Sequence, residues 1–172
     1  MLGRKVFGYH PYWMSTPAIN SYQFDLLSSV IYFSYEVDPS TAGYSTIHGW
    51  LTTPLVDKAH AAGVKVQLCA TNFGSANNTA LLSNAAAQDT LIANLIRLIR
   101  LRNAEGINID FESVPTSQRA NLTAFFSNLK MRLHAVLPDA EISVAAPAVD
   151  WNNSWDVASL APYIHYFFIM CY

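Results

Sequence analysis

Residues Glu105–Glu112 read Glu-Gly-Ile-Asn-Ile-Asp-Phe-Glu, and from Ile107 onward apolar and polar side chains alternate strictly. Strict alternation is typical of a β-strand, in which successive side chains point to opposite faces. One face would carry isoleucine and phenylalanine, and the other would carry Asn108, Asp110 and Glu112. We therefore predict a strand that is apolar on one face and acidic on the other.

Helical patterns lie on both sides of this strand. Leucine and isoleucine recur three and four residues apart between residues 91 and 99, as do leucine and phenylalanine between residues 122 and 133. A shorter helix is predicted with Thr53 as its N-cap, Pro54 as its first residue and Gly63 just past its end. The predicted strands are Val6–Tyr9, Ser29–Tyr35, Val64–Cys69, Gly106–Phe111, Glu141–Ala145 and Tyr166–Met170. This alternation of strands and helices predicts an α/β fold with a parallel sheet.

The spacing of the strands favours a barrel. They begin on average about 32 residues apart, which is the size of one unit in a (β/α)8 TIM barrel of ~250 residues. Residues 1–172 would then form one incomplete domain that holds about the first six units of a truncated barrel. A doubly wound open sheet is the alternative, but no helix follows the last predicted strand to cover it. The polar segments Asp38–Trp50 and Thr71–Asn78 are predicted to be loops.

Two carboxyl groups on one face of a buried parallel strand require an explanation, because an unpaired buried carboxylate costs several kcal/mol. An exposed antiparallel strand would show the same alternation without any function. The flanking helices instead imply a parallel crossover, and Glu112 falls at the C-terminal end of its strand, where barrel enzymes carry their chemistry. Asp110 and Glu112 would lie ~6.6 Å apart along the strand. That is close enough to keep one of them protonated near neutral pH, as a general acid must be.

This segment resembles the D-x-x-D-x-D-x-E signature of the family 18 glycoside hydrolases, the chitinase family. Asp110 and Glu112 match its last two positions, while Glu105 and Asn108 are conservative departures at the first two. In the family, the acidic residues of this signature form a chain that leads to the position of Asp110, and Asn108 removes one negative charge from it.

The resemblance extends over nearly the whole chain. Phe7-Gly8-Tyr9 resembles the first strand of the family, and Met170-Cys171-Tyr172 resembles the M-x-Y-D motif of its sixth strand. The S-x-G-G motif of the third strand is replaced by Cys69-Ala70-Thr71-Asn72. The Asn-containing motif is similar to that of bacterial members in the chitinase and spore-cortex-hydrolase branch.

The resemblance implies retaining, substrate-assisted hydrolysis of β-1,4-linked N-acetylglucosamine polymers, meaning chitin or chitooligosaccharides. Glu112 would protonate the glycosidic oxygen while the 2-acetamido carbonyl of the sugar attacks the anomeric carbon. Asp110 would orient the acetamido N–H and stabilise the developing positive charge. Tyr172 would donate a hydrogen bond to the acetamido oxygen.

Aromatic rings commonly line sugar-binding clefts, because their faces pack against the C–H faces of pyranoses. Tyr9, Trp13, Phe73 and Trp151 follow predicted strands and would lie at the mouth of the barrel, with Asn72 beside them as a further substrate contact. A single aromatic residue near a strand end more often packs in a core. The convergence of four of them on one rim is what carries this prediction.

Composition narrows the classes of partner. A net charge of −2 without any Lys/Arg cluster disfavours nucleic acid, and no apolar run is long enough to span a membrane. The five histidines lack metal-ligand spacing, so neither a metal nor another cofactor is predicted. Residues 1–9 do not resemble a signal peptide, although the family resemblance implies a secreted or cell-envelope location. An open barrel edge would permit self-association.

Two other functions stay open at this point. Hydrolysis of peptidoglycan or spore cortex is one, since bacterial family members that act on cell walls have a similar Asn-containing motif. A chitinase-like protein that binds glycans without cleaving them is the other. Such proteins usually lose the glutamate at the position of Glu112, so its presence argues against this alternative.

Overall fold

A computed structural model describes residues 3–171 and contains a curved sheet with helices on its outer side. Within this range the strands are β1 (Phe7–Pro11), β2 (Ser29–Val37), β3 (Tyr44–Thr46), β4 (Lys65–Phe73), β5 (Gly106–Glu112), β6 (Glu141–Pro147) and β7 (Tyr166–Met170). Six of them pair in parallel in the order β1-β2-β4-β5-β6-β7, and β3 pairs antiparallel with β2. The six predicted strands and the α/β class are confirmed.

The helices in the same range are α1 (Thr16–Asn20), α2 (Pro54–Ala61), α3 (Ser75–Leu82), α4 (Ala85–Leu101), α5 (Arg119–His134) and α6 (Val157–Leu160). The predicted start of α2 is confirmed, because the Thr53 side chain accepts a hydrogen bond from the Leu55 backbone N–H. Gly63 follows the end of α2 with φ of 72°, a conformation that glycine adopts without a steric penalty.

The core lies between the sheet and the helices. On β5, Ile107, Ile109 and Phe111 are buried against this core, together with apolar side chains of α4 and α5 such as Leu95 and Phe125. The opposite side of the sheet faces the interior of a half-barrel. There the curvature brings the two edge strands together, with the ring centroids of Phe7 on β1 and Phe168 on β7 4.9 Å apart.

Two predicted loops contain regular structure. The segment Thr71–Asn78 belongs to the end of β4 and the start of α3, and the segment Asp38–Trp50 includes β3. Gly74 has φ of 94° and allows an abrupt turn from β4 into α3. Although Ser75–Thr79 has poor helix formers, Leu81 and Leu82 of α3 are buried, so tertiary packing outweighs local propensity here.

Gly106 lies at the start of β5, where a side chain would not fit. A Cβ atom there would be 2.5 Å from the backbone oxygen of Glu141 and 2.9 Å from Cγ of Gln67. The backbones of β5 and β6 and the Gln67 side chain therefore approach one another only because residue 106 is glycine.

Replacement of Gly106 by alanine is expected to lower the free energy of unfolding by about 1–3 kcal/mol, because the added methyl group forces strands apart. Chemical denaturation followed by circular dichroism measures this loss. Gly3→Ala is the matched control, since nothing lies within 4 Å of a Cβ atom at that position. Equal stability of the two variants would contradict the close packing at Gly106.

Candidate active site

The acidic face of β5 points into the half-barrel, as the alternation of the sequence requires. Asn108 is fully buried, Asp110 is 6% exposed, and Glu112 is half-buried at the C-terminal end of the strand. Asp110 lines a cavity of about 430 Å³, and Glu112 lines a cavity of about 570 Å³. Both cavities share Met170 and Cys171 in their walls, so the two carboxyl groups open onto adjoining spaces.

The environment of Asp110 favours its neutral form. Burial, followed by the charge of Glu112, raises the pKa of Asp110 to about 7. Its Oδ1 atom finds no hydrogen-bond partner among the described residues. A buried acceptor without a partner is costly in a folded protein, and the residue that carries it lines a cavity.

The backbone around Glu112 is held by α3. The Glu112 carbonyl oxygen accepts hydrogen bonds from Asn78 Nδ2 at 2.6 Å and from the Gly74 backbone N–H at 3.1 Å. Ser113 then turns the chain with φ of 61°. The position of Glu112 at the mouth is thus set by hydrogen bonds from the start of α3 and by the turn of its own segment at Ser113.

Asn72 and Asn78 form a buried amide pair at this point. Asn72 Nδ2 donates to Asn78 Oδ1 at 3.0 Å, and Asn78 Nδ2 also lies 3.2 Å from the carbonyl oxygens of Asn72 and Gly74. Asn72 lines neither of the two cavities, in contrast to its predicted position beside the substrate. Its place on β4 puts its side chain on the helix-covered side of the sheet, where it supports Glu112 indirectly.

Most of the predicted aromatic residues reach the mouth. Tyr9 and Trp13 line the cavity of Asp110, and Trp151 lines the cavity of Glu112 with 89% of its surface exposed. The Tyr9 hydroxyl donates to Asn108 Oδ1 at 3.2 Å. Phe73 is exposed and pairs in register with Glu112, although it lines neither cavity.

The predicted role of Tyr172 lies outside the described residues. Within residues 3–171, no group of three or more His, Cys, Asp or Glu side chains is arranged to hold a metal ion. None of the helices in this range has the length and apolar character that crossing a membrane requires.

The raised pKa of Asp110 predicts a specific dependence of stability on pH. The folded state holds this proton up to pH 7, whereas the unfolded chain releases it near pH 4. The free energy of unfolding should therefore fall between pH 4 and pH 7, by up to ~4 kcal/mol from this group. The dependence should be absent from this interval in Asp110→Asn, and an identical pH profile for both proteins would rule out a protonated Asp110.

Truncation of Asn78 should destabilise the protein, because it leaves the Glu112 carbonyl and the Asn72 amide with fewer partners in a buried site. We expect Asn78→Ala to lower the free energy of unfolding by about 1–3 kcal/mol. Asn77→Ala serves as the control, since the neighbouring Asn77 makes one exposed hydrogen bond to the Phe73 carbonyl. Equal losses for both variants would argue against a special role of Asn78.

Comparison with known proteins places this geometry in a family. The model of the glycosyl hydrolases family 18 matches residues 5–172. YdhD from Bacillus subtilis (strain 168), which carries the name of a sporulation-specific glycosylase, is 32% identical over 95 residues. That match covers 54% of this chain and 23% of YdhD. This chain thus spans about a quarter of the length of that relative.

Solved structures show the same fold. The spore cortex-lytic enzyme SleL from Bacillus megaterium QM B1551 superposes with a TM-score of 0.85 at 19% identity, over 98% of this chain and 42% of SleL. A class V chitinase from Nicotiana tobaccum in complex with NAG4 gives a TM-score of 0.79 at 17% identity, over 96% of this chain and 51% of the chitinase. At these identities the structures show the barrel fold alone. Because the family model covers nearly all residues, including Asp110 and Glu112, the chain belongs to the glycosyl hydrolases family 18.

Proposed function

We propose that this chain carries the catalytic acid of a retaining glycoside hydrolase that cleaves β-1,4-linked N-acetylglucosamine polymers, meaning chitin or chitooligosaccharides. The observation that carries the proposal is the pair Asp110 and Glu112 on one buried strand. One carboxyl group is buried with an acceptor atom that has no hydrogen-bond partner among the described residues, and the other stands at the mouth beside an exposed tryptophan. Membership of family 18 supports this assignment of roles.

The proposed reaction begins with protonation. Glu112 gives its proton to the glycosidic oxygen, the bond from that oxygen to C1 breaks, and the leaving sugar departs as an alcohol. The 2-acetamido oxygen of the bound sugar forms a bond to C1 on the opposite face, which yields an oxazolinium ion. Water then attacks C1, the bond from C1 to the acetamido oxygen breaks, and the water gives a proton to the Glu112 carboxylate, so that the configuration at C1 is retained.

Asp110 has the complementary role of binding the acetamido group. Its Oδ1 atom is buried without a hydrogen-bond partner among residues 3–171, and a rotation of the side chain into the cavity that Asp110 lines would let it accept the N–H of that group. In a site that excludes water, this hydrogen bond orients the acetamido oxygen for attack, and transfer of the Asp110 proton to Glu112 leaves a carboxylate that stabilises the positive charge that develops. We propose that Tyr172 donates to the acetamido oxygen from the end of the chain segment after β7.

Peptidoglycan or spore cortex is the second candidate substrate. It is favoured by the similarity to YdhD and by the fold shared with SleL, whose names refer to sporulation and to the spore cortex. Both substrates contain N-acetylglucosamine and would use Asp110 and Glu112 alike. A glycan-binding protein without catalysis is disfavoured by the presence of Glu112. Either polymer lies outside the cytoplasm, so we also propose a secreted or cell-envelope location.

Hydrolysis of N-acetylglucosamine oligomers should depend on Glu112. We expect the chain to release shorter oligomers and Glu112→Gln to lower kcat at least ~100-fold, because an amide cannot donate the required proton. Mass spectrometry of the products measures both rates. Asp139→Asn is the control for a carboxyl-to-amide change, since Asp139 is exposed and lies between α5 and β6, away from the mouth.

The same oligomers provide a test of binding by calorimetry. If the chain neither hydrolyses nor binds them, while it remains folded, the proposed function is wrong. If it cleaves cortex fragments but not chitin oligomers, the second candidate substrate replaces the first.

Trp151 should contribute to binding of the sugar chain rather than to chemistry. We expect Trp151→Ala to raise KM about fivefold with little change in kcat, because a stacking platform contributes about 1 kcal/mol. Met131→Ala is the control, since Met131 is an exposed apolar residue on the outer helix α5. Equal KM values for Trp151→Ala and the parent chain would exclude Trp151 from the binding site.

A further inference from the structure

A continuous series of hydrogen bonds runs through the interior of the half-barrel from its N-terminal end to the candidate site. Gln67 Nε2 lies 3.5 Å from Glu141 Oε2, Ser143 Oγ lies 2.6 Å from Gln67 Oε1, and Asn108 Nδ2 lies 2.8 Å from Ser143 Oγ. The series continues to Tyr9, whose hydroxyl donates to Asn108 Oδ1 at 3.2 Å. We call Glu141, Gln67, Ser143 and Asn108 the interior amide chain.

Each donor in this chain is determined by the group before it. The Glu141 carboxylate only accepts hydrogen bonds, so Gln67 must turn its NH2 group toward it and its carbonyl oxygen toward Ser143. The Ser143 hydroxyl must then donate to Gln67, which leaves it only lone pairs for the next contact. Residue 108 must therefore offer a donor to Ser143, and an amide does this while its oxygen accepts from Tyr9.

Neighbouring residues favour this direction of the hydrogen bonds in the interior amide chain. Lys65 Nζ lies 2.6 Å and Lys5 Nζ 3.4 Å from Glu141 Oε1, which places two positive charges beside the carboxylate at the start of the chain. Gln67, Ser143 and Asn108 are fully buried, so water does not compete for their hydrogen bonds. The absence of a side chain at Gly106 leaves room for Gln67 to lie across β5.

We infer that the interior amide chain is a positioning device that selects an amide over a carboxylate at position 108. It holds Asn108 in one orientation and thereby directs the hydroxyl of Tyr9, which lines the cavity of Asp110. Gln67, Ser143 and Glu141 are positioning residues, since none of them lines either cavity. The expected effects on activity rest on the proposed function, whereas the expected effects on stability do not.

An aspartate at position 108 would conflict with this direction. Its carboxylate has no hydrogen for Ser143, so the Ser143 hydroxyl would have to turn toward it and release Gln67. Gln67 would then have to rotate and bring its carbonyl oxygen against the Glu141 carboxylate. The substitution Glu141→Gln removes this conflict, because the amide that it introduces can donate to the rotated Gln67, and the half-exposed Lys65 remains solvated.

A double-mutant cycle in thermal stability tests the inference without any assay of function. Asn108→Asp is expected to lower Tm by roughly 5–10 °C in the parent chain. In the Glu141→Gln background, at least half of that loss should disappear, because the hydrogen bonds join residues 108 and 141 through Gln67 and Ser143. In a Ser143→Ala background, the effects of Asn108→Asp and Glu141→Gln should be additive, because the loss of the hydroxyl interrupts the interior amide chain between residues 108 and 141.

Control and contrary outcomes follow from the same measurements. Asp139→Asn, a carboxyl-to-amide change at an exposed position nearby, should not rescue Asn108→Asp. If Asn108→Asp is too unstable to purify, recovery of a folded protein with Glu141→Gln counts as the rescue. Additive effects of Asn108→Asp and Glu141→Gln, an equal rescue by Asp139→Asn, or failure of the double variant to fold would overturn the inference.

Activity provides a readout that a purely structural role would not change. At a temperature where all variants are folded, Asn108→Asp should lower kcat about tenfold with KM within about twofold and shift the pH profile, and Glu141→Gln should restore much of the rate. If the parent protein shows no glycosidase activity that Glu112→Gln removes, the proposed function fails. The stability cycle still decides whether the interior amide chain couples residues 108 and 141. If activity depends on Glu112 but the stability cycle is additive, only the inference fails.

Discussion

The burial of Asp110 beside Glu112 on β5 is the constraint on which the rest of the site depends. A carboxyl group loses hydration when a parallel sheet covers it, and the nearby negative charge of Glu112 adds to the penalty. The fold tolerates this because the opposite face of β5 packs isoleucine and phenylalanine against α4 and α5. The stability of the barrel wall thus supports an interior face that would be unfavourable on its own.

The polar groups of that interior are arranged in layers along the strands. At the N-terminal end, Lys65 and Glu141 form an ion pair, and the amides and hydroxyl of the interior amide chain occupy the middle. Next comes Asp110, with an oxygen that has no hydrogen-bond partner among the described residues, and Glu112 lies last at the mouth. The amides and hydroxyl below the site are joined by hydrogen bonds, whereas Asp110 Oδ1 at the site has no partner among the described residues.

Local pattern was sufficient to predict the strands, the long helices and the face on which Asp110 and Glu112 lie. Alternation and helical periodicity are properties of neighbouring residues, and they predict the structure correctly wherever tertiary packing favours the same strand or helix. The start of α3 was not predicted because its asparagines and serine are poor helix formers and its stability comes from buried leucines. The side-chain direction of Asn72 followed from the full length of β4, which extends to Phe73 and was predicted to end at Cys69.

Contacts between distant segments were beyond any reading of local pattern. Asn78 meets Glu112 across 34 residues, and Gln67 meets Ser143 across 76 residues. The strand register brings Gln67 to Ser143, and the turn from β4 into α3 brings Asn78 to Glu112. The sequence carries no sign of either contact.

Retention of configuration is the most direct test of the account as a whole. Proton NMR of the products of N-acetylglucosamine oligomers, recorded before mutarotation, should show the β-anomer in excess, whereas an excess of the α-anomer would contradict the roles given to Asp110 and Glu112.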